Sequence, residues 1–252
     1  MRRLNTSYIQ RHCGVSACVF EEVTSTNAIL KEYAKQGAPA LSMVVAAAQS
    51  AGRGRGEHTF FSPKGSGIYL SVLLHPEGGF APADITAAAA VAACDAVQSV
   101  CGLRPDIKWM NDLYVRGKKV AGILCEAVTL PERTAVIVGI GINLLPPEGG
   151  FPAEIAARAG AVLENSRVRF LREKVAIAFF RALEARVKNQ GSVYAAYRQG
   201  LFVLGMEVTY EGKTATVSDL LPDFRLELTF ADGEKRFLHS GEISLPLGKS
   251  AQ

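Results

Sequence analysis

The 252-residue sequence predicts an α+β domain with helices on one side of a sheet, followed by a small β-barrel. Three observations carry that reading. Short apolar runs alternate with helix-length segments through Gly200, and such a mix packs as layers. Beyond Gly200 the pattern changes to closely spaced short strands separated by turn pairs, the signature of a small barrel. A chain of this length also buries a sizeable core without disulfide or metal staples. The expected units are residues 1–200 and 201–252.

Ala17–Glu21 is short and mostly apolar and reads as a strand. After Ser25-Thr26-Asn27, the residues Ala28, Ile29, Leu30, Tyr33 and Ala34 recur at helical spacing, with Thr24 or Ser25 placed to cap the helix. Gly37-Ala38-Pro39 ends it. Met43–Ala48 is a buried strand, and Gln49 opens a polar, glycine-rich, basic stretch reaching Gly67. Loops of that length are functional or disordered. Ile68–His75 is a strand, and Pro82–Val100 an alanine-rich helix with its proline in the first turn. Ile107–Trp109 and Leu113–Val115 are short strands, and Arg116-Gly117-Lys118 turns the chain into a strand over Val120–Val128. Ala135–Asn143 is a strand with both faces apolar. Helices are expected over Phe151–Leu163, Val168–Asn189 and Val193–Arg198.

In the second unit, strands are expected at Glu207–Tyr210, Lys213–Leu221, Arg225–Phe230, Lys235–His239 and Ile243–Leu245. Asp232-Gly233 is a tight-hairpin pair, and His239-Ser240-Gly241-Glu242 reads as an ordinary hairpin turn.

Hydrophobic residues make up 48% and charged residues 21%, a balance that excludes a disordered tail and a collagen-like chain. The net charge of +4 is too mild for a general nucleic-acid coat. The five cysteines (Cys13, Cys18, Cys94, Cys101, Cys125) and four histidines are scattered, without zinc spacing or a disulfide framework. Met1-Arg2-Arg3 is not followed by the apolar run of a signal peptide. The apolar run Ile85–Cys94, bounded by Asp84 and Asp95, is too short to span a bilayer. A soluble, reduced, cytoplasmic protein is expected, with no membrane partner.

Four segments carry candidate chemistry. Gln49-Ser50-Ala51-Gly52-Arg53-Gly54-Arg55-Gly56 alternates glycines, which let a backbone lie close to a ligand, with arginines that fork onto a carboxylate or phosphate. It is neither a P-loop nor a dinucleotide fingerprint, and a solvated basic loop is the alternative. Lys108-Trp109-Met110-Asn111-Asp112 sets an amide and a carboxylate between two apolar strand pieces. Such a pair serves a metal, a ribose or an amine, or simply an Asx turn. In Lys118-Lys119-Val120-Ala121-Gly122-Ile123-Leu124 a lysine opens an apolar strand that a glycine interrupts, as where a ligand or another backbone approaches closely. A snorkelling hairpin lysine is the alternative. Gly139-Ile140-Gly141-Ile142-Asn143 leaves room for something flat, or marks a bulge or tight packing.

The order and spacing of Ser25-Thr26-Asn27, Gln49 with GRGRG, KWMND, KKVAGIL, GIGIN and a C-terminal barrel resembles the biotin–protein ligases, from Phe20 to Leu247. The resemblance implies a biotin/lipoate ligase-like catalytic domain, a mixed sheet with helices on one side, followed by an SH3-like barrel. It implies an ATP-dependent enzyme that makes biotinyl-5′-AMP and transfers biotin to a lysine of a biotin carboxyl carrier protein domain, with Mg²⁺. Lys119 and Arg55 would be the catalytic residues. Ser25, Thr26, Asn27, Gln49, Arg53, Gly54, Arg55, Lys119 and Gly122 would bind biotin, with Gly141 also making room. Arg53, Arg55, Phe60, Asn111, Asp112, Lys119 and Asn143 would bind the nucleotide, and Asp112 would face the metal.

This sequence departs from the family's usual GRGRxGRxW: Glu57 stands for a glycine, His58 for an arginine and Phe60 for the tryptophan, and Phe60 keeps an aromatic face for adenine. Met110 replaces the usual proline of KWPND. Met1–Ser16 is too short for the DNA-binding domain of some members, so DNA is not an expected partner; a homodimer stays compatible with the resemblance. Lipoate ligases and octanoyltransferases share the catalytic fold, but the polar Ser25-Thr26-Asn27 with Gln49 suits a ureido group. An RNA-binding module gripping through GRGRG is the rival from another class, and few aromatic residues lie near that run.

Overall fold

The computed structural model describes residues 3–13, 16–76 and 81–245. A seven-stranded sheet runs in the order β1 (Ala17–Phe20), β2 (Met43–Ala46), β3 (Gly67–Leu74), β7 (Arg133–Asn143), β6 (Lys118–Leu130), β5 (Asp112–Val115), β4 (Asp106–Lys108). β1 and β2 pair parallel and all other neighbours antiparallel, so the sheet is mixed. The parallel pair follows from connectivity, because helix α2 (Thr26–Lys35) is the crossover between them.

Side-chain alternation assigns the two faces. Met43, Val45, Ile68, Leu70, Val72, Val138, Ile140 and Ile142 face the large core with α3 (Pro82–Cys101) and α5 (Leu171–Lys188). Val44, Leu73, Ala135 and Ile137 face the other way, onto Leu30 and Ala34 of α2. The long helices thus share one face, as expected, and α2 is the exception on the other. α2 covers only part of its face, and the rest is floor for the site.

α3 runs to Cys101, where Gly102 at φ 77° ends it, and at its start Asp84 accepts from the Ala81 amide at 3.0 Å. By length and composition it could cross a membrane, but 67% of its apolar window is buried inside the protein. Helix α1 (Thr6–Cys13) was not expected. Asn5 caps it by accepting from the Tyr8 amide at 2.9 Å, and Ile9 packs into the large core. The helix expected over 151–163 shrinks to α4 (Ala153–Ala156). Past it, the chain instead bonds the ends of two inner strands: Lys119 and Ala159 bridge, and the Val162 amide donates to the Asn143 carbonyl at 2.9 Å.

After α6 (Val193–Gly200) comes a four-stranded antiparallel sheet, β11 (Lys235–Leu238), β10 (Leu226–Phe230), β9 (Lys213–Leu220), β8 (Glu207–Tyr210), compatible with an SH3-like unit. The fifth strand expected at Ile243–Leu245 is only a single bridge between Ser244 and Thr209. Val217, Leu226 and Leu228 join the same core as the main sheet. The buried Trp109 indole N–H donates to the Phe224 carbonyl at 2.9 Å, fastening one sheet to the other.

Candidate active site

Strand register builds the floor in rows. Across the strands, Lys108 pairs with Asp112, Asp112 with Gly122, Gly122 with Gly141, and Gly141 with Tyr69. Directly paired residues share a face, so these five form one row. The next row is Leu124, Gly139, Ser71 and Val44, and the third is Glu126, Ile137 and Leu73. The β5–β6 register slips between Leu113 and Tyr114, leaving Val120 as the extra residue. That slip turns Lys119 onto the same face as Gly122, and Lys119 Cε would lie 3.5 Å from a Cβ on Gly122.

The polar end lies where α2 begins. Ser25 occupies the N-cap position, but its side chain makes no cap bond. Gln49 does that work: its Oε1 accepts from the Thr26 amide at 2.9 Å and lies 3.2 Å from Thr26 Oγ1. Its Nε2 donates to Ser62 Oγ at 3.0 Å. Ser71 Oγ lies 2.6 Å from Asn27 Oδ1 and 2.8 Å from Thr26 Oγ1. One hydroxyl hydrogen serves one acceptor, and Asn27 Oδ1 can only accept, so Ser71 donates to Asn27 and accepts from Thr26. Asn27 Nδ2 donates to Leu124 O at 3.2 Å and to Glu126 Oε2 at 2.7 Å. Ser25, Thr26 and Asn27 are all buried.

The cationic end lies along the first row. Lys119 Nζ stands 2.7 Å from Asp112 Oδ1, which is buried and accepts no hydrogen bond of good geometry. Lys108 is 9% exposed, and its ammonium makes no hydrogen bond or ion pair with a described residue. Burial pulls its ammonium below the usual lysine range, against the opposing pull of Asp112 and Glu242. Burial also pushes the nearby Tyr114 hydroxyl up to about 12.

The loop from Gln49 to Ser62 closes over the floor. A bridge between Arg53 and Thr59 and a bond from the Gly54 amide to the His58 carbonyl at 2.7 Å make it a compact turn. Arg53 pairs with Glu126 at 3.3 Å. Arg55 donates to the Gly241 carbonyl at 3.3 Å, and His58 Nε2 lies 3.5 Å from Glu242. The 239–242 segment, expected to be an ordinary hairpin turn, therefore reaches the loop. Phe60 lies over Gly122 and Gly141, edge-on to Tyr69 with ring centres 6.4 Å apart. The room those glycines leave is filled by this ring, and Asn27 fills the room over Gly139.

The expected residues Ser25, Thr26, Asn27 and Gln49 come together at one end, Lys119 and Asp112 at the other, with Phe60 between and Arg53, Gly54 and Arg55 in the covering loop. Asn111 and Asn143 each donate one amide hydrogen to backbone and keep their side-chain carbonyl oxygens. Asn111 Nδ2 donates to the Ile123 carbonyl at 2.8 Å, and Asn143 Nδ2 to the Gly160 carbonyl at 3.2 Å. Residue reading missed Ser71, Glu126, Lys108 and Ser62. Ser71 carried a signal, as the one serine in the otherwise apolar and aromatic, wholly buried strand Gly67–Leu74.

Comparison with known proteins fits this geometry. Residues 19–143 match the Biotin/lipoate A/B protein ligase family. The chain is 31% identical over 209 residues to the biotin–[acetyl-CoA-carboxylase] ligase of Mycobacterium tuberculosis, covering 77% of this chain and 73% of that one. It is 34% identical over 169 residues to the bifunctional ligase/repressor BirA of Bacillus spizizenii, covering 66% of this chain; it spans about half that relative's length, 52%. The biotin protein ligase of Aquifex aeolicus in complex with biotin and ATP superposes with a TM-score of 0.77 at 26% identity, over 91% of this chain and 97% of that one. With its glycine-floored groove and these relatives, the chain belongs to the biotin/lipoate A/B protein ligase family, among the biotin–protein ligases.

Proposed function

We propose that this chain activates biotin with ATP and transfers it to a lysine of a biotin carboxyl carrier protein domain. One observation carries the reading: a groove with a hydrogen-bonding cluster at one end and a lysine at the other. The cluster's spare capacity is one Gln49 amide hydrogen, the Ser25 hydroxyl and one lone pair on Asn27 Oδ1. A ureido group has one carbonyl oxygen and two N–H donors, which that set can meet. With the Phe60 ring displaced from its seat over Gly122 and Gly141, the acid's carboxylate then points toward Lys119.

In the first step a biotin carboxylate oxygen bonds to the α-phosphorus, the bond from that phosphorus to the β-phosphate bridge breaks, and pyrophosphate leaves. Two anions must meet, so positive charge lowers the barrier. Lys119 stands where it can hold both, and Arg53 and Arg55 bring further charge on the loop. In the second step an acceptor amine attacks the mixed anhydride; a C–N bond forms, the C–O bond to phosphate breaks, AMP leaves and the amine's proton is released. The covering loop keeps water from the anhydride.

Among the described residues no three His, Cys, Asp or Glu side chains gather as a metal cage. Beside Lys119, Asp112 offers a buried carboxylate oxygen that accepts no hydrogen bond of good geometry. One carboxylate suits Mg²⁺ arriving with nucleotide phosphates, since that ion keeps waters and takes few protein ligands. Mg²⁺ there supplies charge neutralisation on phosphate. We also assign residues 1–200 to the catalytic domain, residues 201–252 to a C-terminal SH3-like barrel domain packed on the same core, and the protein to the cytoplasm.

The test is ATP–pyrophosphate exchange with and without biotin at fixed Mg²⁺. Exchange that requires biotin supports the reading. Exchange with lipoate or octanoate but not biotin, or with no acid at all, overturns it.

A further inference from the structure

Glu126 touches two parts of the site and belongs to neither set of expected ligand residues. It stands on β6 in the third floor row. One carboxylate oxygen accepts from Asn27 Nδ2 at 2.7 Å, and the other pairs with Arg53 at 3.3 Å. It therefore joins the polar cluster under α2 to the covering loop.

A carboxylate only accepts. Facing it, Asn27 must present its amide nitrogen, and the Leu124 carbonyl takes the second hydrogen at 3.2 Å. Asn27 Oδ1 then faces Ser71, which donates at 2.6 Å. Both amide hydrogens are spent, and one oxygen lone pair is left over. With Asn27 only 5% exposed, the amide has little water to exchange these partners with.

We propose that Glu126 is a positioning and specificity-determining residue for the ligand of this groove: it locks the Asn27 amide so that its spare capacity is an acceptor, and it holds Arg53 over the groove's rim. An acceptor there selects a ligand head with an N–H donor, such as a cyclic urea, over one with none, such as a dithiolane ring. This rests on the biotin reading above.

Glutamine has the same shape as glutamate but can donate. In a Glu126→Gln variant the Asn27 amide can turn over and set its own N–H against the ligand's, and the Arg53 ion pair is gone. The experiment is biotin-dependent ATP–pyrophosphate exchange with wild type, Glu126→Gln and Glu126→Asp. Tryptic nicking after Arg53 and Arg55 without substrates, and thermal unfolding, accompany it. We expect Glu126→Gln to raise KM for biotin on the order of tenfold, the scale of one charged hydrogen bond, and to move KM for ATP and kcat by clearly less, through the freed Arg53. Glu126→Asp should recover part of that loss, and the loop should be nicked faster in Glu126→Gln. An unchanged KM for biotin overturns the proposal and leaves the ligase reading intact. So does a loss spread equally over kcat and both KM values with a lowered melting temperature, which marks a merely structural role. A wild type without biotin-dependent exchange overturns the ligase reading and this proposal together.

Discussion

The ring of Phe60 occupies the volume in which a Cβ on Gly141 would stand, and its other edge lies over Gly122. The glycine pair on neighbouring strands and the aromatic ring on the loop are thus one packing unit. The loop is seated on the sheet by this contact as well as by the Arg53–Glu126 pair.

Gly141→Ala should therefore push Phe60 off its seat at about 1–3 kcal/mol, the usual penalty of overpacking. Phe60→Leu in the same chain should return part of that loss, because the smaller side chain clears the new methyl. Urea unfolding of the two single variants and the double measures the coupling, expected at about 0.5 kcal/mol or more for residues in contact. Strictly additive effects would show that the ring and the glycine do not pack as described.

Lys119→Ala should slow formation of the adenylate roughly 10²-fold or more, the scale of losing one electrostatic stabiliser. The variant also leaves Asp112 Oδ1 without the ammonium paired to it at 2.7 Å, so circular dichroism should accompany the assay. Near-normal pyrophosphate release from a folded variant would remove Lys119 from the chemistry.

Trp109→Phe keeps the aromatic bulk but leaves the Phe224 carbonyl without its buried donor. The expected cost is about 1–3 kcal/mol. Tyr197 packs edge-on to Phe224 with ring centres 5.5 Å apart and donates to the Met110 carbonyl at 2.9 Å. The loss should therefore reach both sheets, and guanidinium unfolding followed by far-UV dichroism should show one shifted transition. An unshifted midpoint would refute the role of this bond.

Burial raises the Cys94 thiol from 9.0 to about 12 and the Cys125 thiol from 9.0 to about 11. In the unfolded chain both ionise near 9, so above that pH the unfolded state binds fewer protons than the folded one. Stability from these groups is complete below pH 9 and declines as pH rises from there through about 11 and 12. Iodoacetamide at pH 8 should leave the buried Cys94 unmodified in the folded protein and label it after unfolding, with the half-buried Cys125 reacting sooner. Rapid native labelling at Cys94 would contradict its burial.

Much of the fold was legible because it rests on local rules. Apolar runs between turn residues marked β3, β6 and β7, and the alanine-rich run after Pro82 marked α3. Local rules failed where a distant partner won. The segment at 151–163 has helical composition, yet Pro152 and Gly160 interrupt it and the ends of β6 and β7 take its backbone bonds. Ile243–Leu245 has strand composition, but only Ser244 finds a partner, on β8. Helix α1 escaped notice because its cap, Asn5, is itself held by Glu173, whose Oε1 accepts the Asn5 amide at 2.9 Å across the fold.

By itself the sequence determined which chemistry was available: a polar triplet at a helix start, a basic glycine loop, a lysine before a glycine strand, and a second unit after Gly200. These follow from residue type and short spacing. Only the tertiary structure decided how they combine. The row from Lys108 through Asp112, Gly122 and Gly141 exists because strand register aligns residues from four strands. The slip that turns Lys119 inward is a feature of pairing, not of its own strand. Glu126 meets Asn27 across 99 positions, and Arg55 meets Gly241 across 186. Such contacts are set by long-range packing, which no local pattern encodes, and they turn a list of polar residues into a groove with two distinct ends.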